Sequence, residues 1–367
     1  MNAIFIITAL FILLYFAYPL WLKIMADRAT NDGGQRKEID GVSLVLLSYN
    51  GREYLEEKIE MLLDELKEFP HHEMIIVDDF STDGSRDVLV KFRDMENITV
   101  ILKEEHHGIP HTMNLAVSLA RYENLVFCDQ RQKTSRNILR KLLEPLGQRE
   151  IGAVSACISQ VDKTGCASVI RRYENYLKSG ESLAGSLMGV YGPLYAMKKN
   201  CYSPIPGSII LDDLYLSLKV MATNKIIIMQ ECQIYDEHIC DLHDYRRIKR
   251  YLTGFMQILS ERSLLAQLPK KQLTMLLWHK YLRLLIPFLL CLCYFTTGIM
   301  SLEEPFYLVP FILLTLVGIA SLTPAFSRIR SMIIHFARIN ILYVLAMGDL
   351  LFRRPSARFV FQLKADK

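Results

Sequence analysis

Met74-Ile75-Ile76-Val77-Asp78-Asp79-Phe80-Ser81-Thr82-Asp83-Gly84 sets the fold class. Four consecutive aliphatic residues predict a strand buried on both faces, because a half-exposed strand alternates. The acids and the Ser-Thr-Asp-Gly run that follow break the strand and predict a turn. Working outward, Ser43–Leu47, Thr99–Leu102 and Leu125–Phe127 are further short aliphatic runs. Helical patterns separate them, over Tyr54–Glu68 and His111–Arg121. This alternation predicts an α/β domain with a mostly parallel sheet. Ligands of such sheets bind at the carboxyl ends of strands, so the polar residues just after each strand come first as site candidates.

The two ends of the chain read differently. The chain has 367 residues, 51% of them hydrophobic, with the apolar excess at both ends. Ala3–Leu22 carries no charge and matches the ~20 residues needed to cross a bilayer. No basic residue precedes it and no small-x-small cleavage site follows, so it reads as a retained anchor rather than a removed leader. Lys23, Arg28, Arg36 and Lys37 follow it and predict a cytosolic C-terminal side. Leu284–Leu302 and Phe306–Ser327 are also uncharged and are joined by Glu303-Glu304-Pro305, which predicts a membrane hairpin with Arg328 and Arg330 inside. Ile333–Phe352 is interrupted by Arg338 and Asp349 and reads as an in-plane helix or a third span.

The expected organisation is an N-terminal transmembrane helix at 1–23, a linker at 24–40 and the α/β domain at 41–260. An interfacial helix region at 261–282, the hairpin at 283–328, and an amphipathic or third membrane helix with a basic tail at 329–367 complete it. Such a chain is a multi-pass protein of the cell membrane with its globular domain in the cytosol, and lipid is one of its partners. The net charge is +4 without a dense basic block, so nucleic acid is not expected as a partner. The eight cysteines form no metal-ligand pattern, and free thiols fit a cytosolic domain.

Four places carry chemistry. Tyr49-Asn50 follows the first strand and Asp78-Asp79 the second. Such side chains bond a base or ribose, although Asp79, Ser81 and Asp83 equally fit plain turn and capping roles. Asp129, in Phe127-Cys128-Asp129-Gln130-Arg131-Gln132, suits a hard divalent cation bridging diphosphate oxygens, or caps a loop. Asp212-Asp213 opens an apolar helical pattern, where one acid fits an N-cap and the other a general base for a hydroxyl. Tyr245-Arg246-Arg247-Ile248-Lys249-Arg250-Tyr251 binds phosphates through guanidinium groups, or anionic lipid beside the membrane.

Taken in order, these elements resemble family-2 glycosyltransferases of the GT-A fold, the group that includes the membrane synthases of cellulose, chitin and hyaluronan. The resemblance runs from Val42 to Leu259. Ser48-Tyr49-Asn50 is similar to the family's opening "xYN", and Val77–Asp83 to "VDDGSTD", which holds the nucleoside. Cys128-Asp129-Gln130-Arg131-Gln132 falls at the DXD motif. Gly189–Ala196 resembles the acceptor-side glycine element, with Tyr191 and Gly192. Leu211-Asp212-Asp213 stands where the family has "TED", and Arg247–Tyr251 resembles "QxxRW", which brings in Arg250 and Tyr251.

The resemblance implies an inverting transferase acting on a nucleotide sugar, most plausibly a UDP-sugar, with a polysaccharide or lipid-linked glycan as acceptor. It implies Asp213 as the base, Mg2+ or Mn2+ on Asp129, and phosphate contacts from Arg250, Arg247 and Arg131. Oligomerisation or a synthase partner subunit would complete any polymer channel. Three departures stand out. Arg131 replaces the second DXD acid, as in a "DARQ"-like variant. Gly108-Ile109 stands for Gly-Lys after the third strand, and Arg247 and Tyr251 replace the glutamine and tryptophan of QxxRW. These departures leave a degenerate, non-catalytic subunit as the alternative.

Overall fold

The computed structural model describes residues 17–27, 37–161, 166–237, 243–309, 311–312, 315–316 and 341–348. Its centre is one eight-stranded sheet in the order β3-β2-β1-β4-β7-β6-β8-β5. β1 (Gly41–Ser48), β2 (His71–Asp78), β3 (Ile98–Leu102) and β4 (Asn124–Asp129) pair in parallel. All four expected strands are present. β1 and β2 are buried almost end to end rather than on alternate residues, as covering on both faces requires. Leu44, Leu46, Ile75, Val77 and Val126 are completely buried.

The other half of the sheet adds antiparallel pairings to the expected, mostly parallel arrangement. β7 (Leu194–Lys198) enters antiparallel between β4 and β6 (Ile151–Val161). β8 (Lys225–Glu237) runs parallel to β6 and takes the two-residue β5 (Lys133–Thr134) antiparallel on its edge. The sheet is therefore mixed.

The helices are α1 (Tyr18–Asp27), α2 (Arg52–Leu66), α3 (Ser85–Val90), α4 (Ile109–Leu119), α5 (Ile138–Leu143) and α6 (Cys166–Ala184). They are followed by α7 (Asp212–Met221), α8 (His243–Ser260), α9 (Arg262–Leu265), α10 (Lys270–Leu276) and α11 (Ile286–Met300). α2 and α4 each start two residues before the expected position. Pro110 opens α4, where a missing N–H costs nothing.

Among the described residues no helix is long and apolar enough to cross a membrane. Most of the expected span 3–22, the second arm of the hairpin and much of 333–352 lie outside the described residues. The part of the first segment that is described, in α1, packs Tyr18 and Leu22 against α6, and both are about 1% exposed. After the Glu303-Glu304-Pro305 turn, Phe311 returns to α11, its ring 5.1 Å from that of Tyr294. Residues 341–348 are helical and bury Ala346 beside Ile248 and Leu252 of α8.

Candidate functional site

Strand register places most of the candidate residues at one edge. Ser48 stands opposite Asp78, Leu47 opposite Asp129, and Asp78 opposite Leu102. Tyr49-Asn50, Asp78-Asp79, Lys103 and Asp129 therefore leave the sheet side by side. β7 runs the other way, with Leu194 opposite Cys128, so the residues preceding it, Tyr191-Gly192-Pro193, reach the same edge.

The first two loops are tied together. The Asn50 amide donates to Ser81 Oγ at 2.9 Å, and the Thr82 amide donates to Asn50 Oδ1 at 2.9 Å. Asn50 has φ +46°, a conformation asparagine tolerates better than most residues. Asp78 is fully buried and accepts from the Ser81 amide at 3.0 Å and from the Ser81 hydroxyl, with Arg86 3.7 Å away.

Asp79 pairs with Lys103 and accepts from the amides of His107 at 3.1 Å and Gly108 at 2.8 Å. His106 Nδ1 lies 2.9 Å from its other oxygen. Burial alone would raise this carboxyl, but the Lys103 hydrogen bond, the His107 amide and the charges of Lys103 and His106 outweigh it and hold Asp79 below the ordinary aspartate value. Asp79 therefore organises the loop between β3 and α4. That loop sets His106 against Tyr49, with ring centroids 4.6 Å apart. Gly108-Ile109 lacks the lysine of the family's Gly-Lys, and Lys103, the first residue after β3, is buried against Asp79.

Asp129 is half-buried and uses Oδ1 to accept from the Gln130 amide at 2.9 Å. Gln130 folds beneath the first loop, donating to the Tyr49 carbonyl at 2.9 Å. A Cβ at Gly51 would lie 2.2 Å from the Gln130 side chain, so glycine is required there for close approach. Arg131 is exposed. A hollow of about 420 Å³ lies between α2 and the loop before α3, lined by Asn50, Arg52, Glu53, Asp83 and Lys91. Neither Asp129 nor Asp213 borders it, so it is separate from the chemistry.

The Tyr191-Gly192-Pro193 segment reaches Asp129 through backbone. The Asp129 amide donates to the Pro193 carbonyl at 2.8 Å. One residue earlier, a Cβ at Gly192 would sit 3.4 Å from Asp213 Oδ2. Asp213 is in the first turn of α7, and its Oδ1 accepts from the Leu214 amide at 2.8 Å, which leaves Oδ2 on the Gly192 side. Asp212 is buried, and its charge helps raise the hydroxyls of Tyr195 and Tyr202 behind the larger effect of burial.

Arg247, Arg250 and Tyr251 form a cluster on α8, with both guanidinium carbons about 6 Å from the Tyr251 ring centre: 5.8 Å for Arg247 and 6.0 Å for Arg250. α8 also ties this cluster to the loop that opens α7. One to two turns further on, Gln257 Oε1 accepts from the Ile210 amide at 3.1 Å, and Gly254 lies against Leu211. This fixes the loop that opens α7.

A divalent cation fits only with help from substrate. Among the described residues no group of three or more His, Cys, Asp or Glu could hold a metal ion. Asp129 offers one carboxylate with one oxygen already engaged. Mg2+ and similar ions take one or two carboxylates and complete their shell with phosphate oxygens and water. The donor set suits a cation that arrives with a diphosphate.

Comparison with known proteins agrees with this layout. Residues 43–185 match the model of Glycosyl transferase family 2. The Bacillus subtilis (strain 168) protein named teichuronic acid biosynthesis glycosyltransferase TuaG is 39% identical over 109 residues, 29% of this chain and 42% of that one. The poly-beta-1,6-N-acetyl-D-glucosamine synthase of Staphylococcus epidermidis is 22% identical over 199 residues, 51% of this chain and 47% of that one. The chain thus spans under half the length of each of these two relatives. A solved structure of the mannosyltransferase PcManGT from Pyrobaculum calidifontis, in complex with GDP-Man and Mn2+, superposes with a TM-score of 0.74 at 20% identity, covering 96% of this chain and 99% of that one. The chain carries a family 2 glycosyltransferase domain, matched over residues 43–185 and built on a mixed α/β fold of the GT-A kind.

Proposed function

We propose that this chain transfers a sugar, with inversion, from a nucleotide sugar to an acceptor hydroxyl. One observation carries the reading. Asp129 and Asp213 are linked by a two-residue bridge, with Pro193 bonded to the backbone of the first and Gly192 against the carboxylate of the second. An acid that serves the diphosphate and a base that serves the acceptor must face the same anomeric carbon, and this bridge supports that arrangement.

In the proposed step Asp213 Oδ2 takes the proton of the acceptor hydroxyl. The new bond forms between that oxygen and the anomeric carbon as the bond to the diphosphate breaks on the opposite side. Tyr49, Asn50, Asp78 and Asp79 shape the nucleoside end, with Asp79 acting by fixing the loop that carries His106. A UDP-sugar is the expected donor. Mg2+ or Mn2+ held through Asp129 would stabilise charge on the departing diphosphate. Arg131, Arg247 and Arg250 offer guanidinium groups for the same phosphates. A glycan or lipid-linked acceptor enters past Tyr191 and Gly192.

The proposed setting is the inner face of the cell membrane. Phe295, Ile299 and Phe306 are 65%, 66% and 73% exposed. Large apolar patches of this kind mark membrane or partner contacts. The expected domain boundaries and multi-pass topology belong to this proposal.

The test is Asp213→Asn in the full chain, assayed by release of nucleoside diphosphate from a panel of UDP- and GDP-sugars. General base catalysis is worth about 10²- to 10⁴-fold, and wild-type turnover in the variant would remove Asp213 from the role. A second reading, a donor-binding subunit without turnover, is favoured by Arg131 standing where a second metal-binding acid belongs. Nucleotide binding with no release from any sugar in the wild type would decide for it.

A further inference from the structure

Helix α6 carries five charged residues that the transfer step does not use, among them Glu174, Lys178 and Glu181. Their i, i+4, i+7 spacing puts them on one face, and that face is covered: Lys178 is 4% exposed and Glu181 0%. Buried charges are costly unless paired. Glu181 accepts from the Tyr18 hydroxyl at 2.7 Å, from His279 Nδ1 at 2.5 Å and from the Met188 amide at 3.2 Å. Glu174 faces His279 Nε2 at 3.0 Å and Arg283 at 2.8 Å. Lys178 reaches towards the transfer site. Its ammonium donates to the Gly189 carbonyl at 2.6 Å and lies 3.7 Å from the centre of the Tyr191 ring.

We propose that Lys178 is a positioning residue of the transfer site, holding the Gly189–Gly192 loop against Asp213. The proposal rests on the reading of Asp213 as the base. Gly189 has φ +137°, a conformation in which L side chains are strained, so the loop's path depends on what grips it from outside. Asn175 and Ser155 hold the Tyr191 hydroxyl and amide at 2.8 Å each. The ammonium grips two points at once, the carbonyl before the bend and the ring after it. Gly192, the residue next to that ring, faces Asp213 Oδ2.

The charge of this group is poised. Burial pushes the ammonium down to about 7, and Lys280, on the segment after α10, acts in the same direction. Glu174 and Glu181 on its own helix and Asp213 on α7 oppose them. The folded value lies below that of a free lysine, so the Lys178 charge is present below about pH 7 and is lost as pH rises through it, leaving the Arg171 guanidinium, 5.5 Å from the ring centre, as the remaining cation over Tyr191. The neutral amine keeps N–H donors for Gly189 but no longer attracts the ring.

The experiment uses the full chain as wild type, Lys178→Met and Lys178→Arg, with labelled UDP-glucose, UDP-N-acetylglucosamine and GDP-mannose, Mn2+ and native membranes as the acceptor source. Sugar transferred and sugar released by hydrolysis are measured across a pH series spanning 7. Lys178→Met is expected to lose about 10- to 100-fold in transfer on the acid side of that range, the cost of misplacing a reacting group by about 1 Å. The hydrolysed share should rise and the alkaline fall in transfer should vanish. Lys178→Arg keeps its charge and should restore transfer on the alkaline side. In parallel, amide exchange of residues 186–194, which needs no substrate, should quicken in Lys178→Met, and in the wild type above pH 7 beyond the intrinsic rate. Wild-type transfer in Lys178→Met, an alkaline limb that persists in both variants, or unchanged exchange of 186–194 would overturn the assignment. A wild type that releases no nucleoside diphosphate refutes the proposed function instead, and the exchange measurement still decides the role of Lys178.

Discussion

Replacing His279 by leucine should cost about 3–5 kcal/mol at neutral pH, the range for leaving a buried charge without its partner. The size follows from what is stranded. Glu181, completely buried, keeps the Tyr18 hydroxyl and the Met188 amide but loses its His279 partner. Glu174 is less buried and keeps Arg283. Most of the loss therefore falls on Glu181. At about 2–4 °C per kcal/mol for a chain of this size, the melting temperature of the purified protein should drop by about 6–20 °C.

The pH dependence supplies a signed test of the same perturbation. Burial alone would raise the Glu181 carboxyl, but the charge and hydrogen bond of His279, with Lys280 and Tyr18, bring it below the ordinary glutamate value of 4.5. A folded value below the unfolded one means that its stability is present above 4.5 and is lost as pH falls through the folded value. Without His279 the largest lowering influences are gone and burial raises the Glu181 carboxyl relative to wild type. The variant should therefore lose less stability than wild type as pH falls through the acid range. His279→Leu combined with Glu181→Leu should recover more than half of the loss, because neither charge is left alone. A single variant that melts within about 2 °C of wild type, or that weakens on acidification as wild type does, refutes the reasoning.

Three further outcomes are expected. Gly192→Ala should fold normally, since no left-handed φ is required there, but its methyl would lie 3.4 Å from Asp213 Oδ2. An acceptor oxygen must come within about 2.6–3.2 Å of that base, so transfer should fall about 10²-fold with little change in melting temperature. Asp79→Asn should weaken UDP binding measured by calorimetry about 10- to 100-fold, the worth of hydrogen bonds to a charged group. The wild-type carboxyl, held below 3.8 chiefly by Lys103 against burial, should keep that binding intact down to about pH 4 and lose it below. EDTA should abolish turnover and Mn2+ or Mg2+ restore it; full activity in EDTA would mean that Arg131 carries the phosphate charge unaided.

The donor half of the molecule was legible because local pattern and global position coincide there. β1, β2 and β4 are continuous aliphatic runs each closed by a polar residue, and parallel register alone brings Tyr49, Asp78 and Asp129 to one edge. β7 was not legible as an antiparallel strand, since Leu194-Tyr195-Ala196-Met197-Lys198 is a short apolar run that carries no direction. Lys103, the first residue after β3, was within reach of the strand-end rule and was missed. Glu174, Lys178 and Glu181 were beyond reach. On a helix such a row reads as a solvated face, and only α1, the 189–192 loop and His279 turn it into a buried one.

The two halves of the site are held by different means, and this explains where the chain departs from family pattern. The proposed donor edge is set by hydrogen-bonded register, which tolerates side-chain change, so an arginine at 131 leaves the position of Asp129 intact. The acceptor edge is set by side chains. Gly192 meets Asp213 through a loop gripped by Lys178, and the start of α7 is fixed by Gln257 and Gly254 of α8. α8 packs on residues of the C-terminal segments through Leu284 and Ala346, and His279 and Arg283 both pair with Glu174 of α6. Under the proposed function, acceptor placement therefore rests on packing around α6 and α8, while donor placement rests on the sheet.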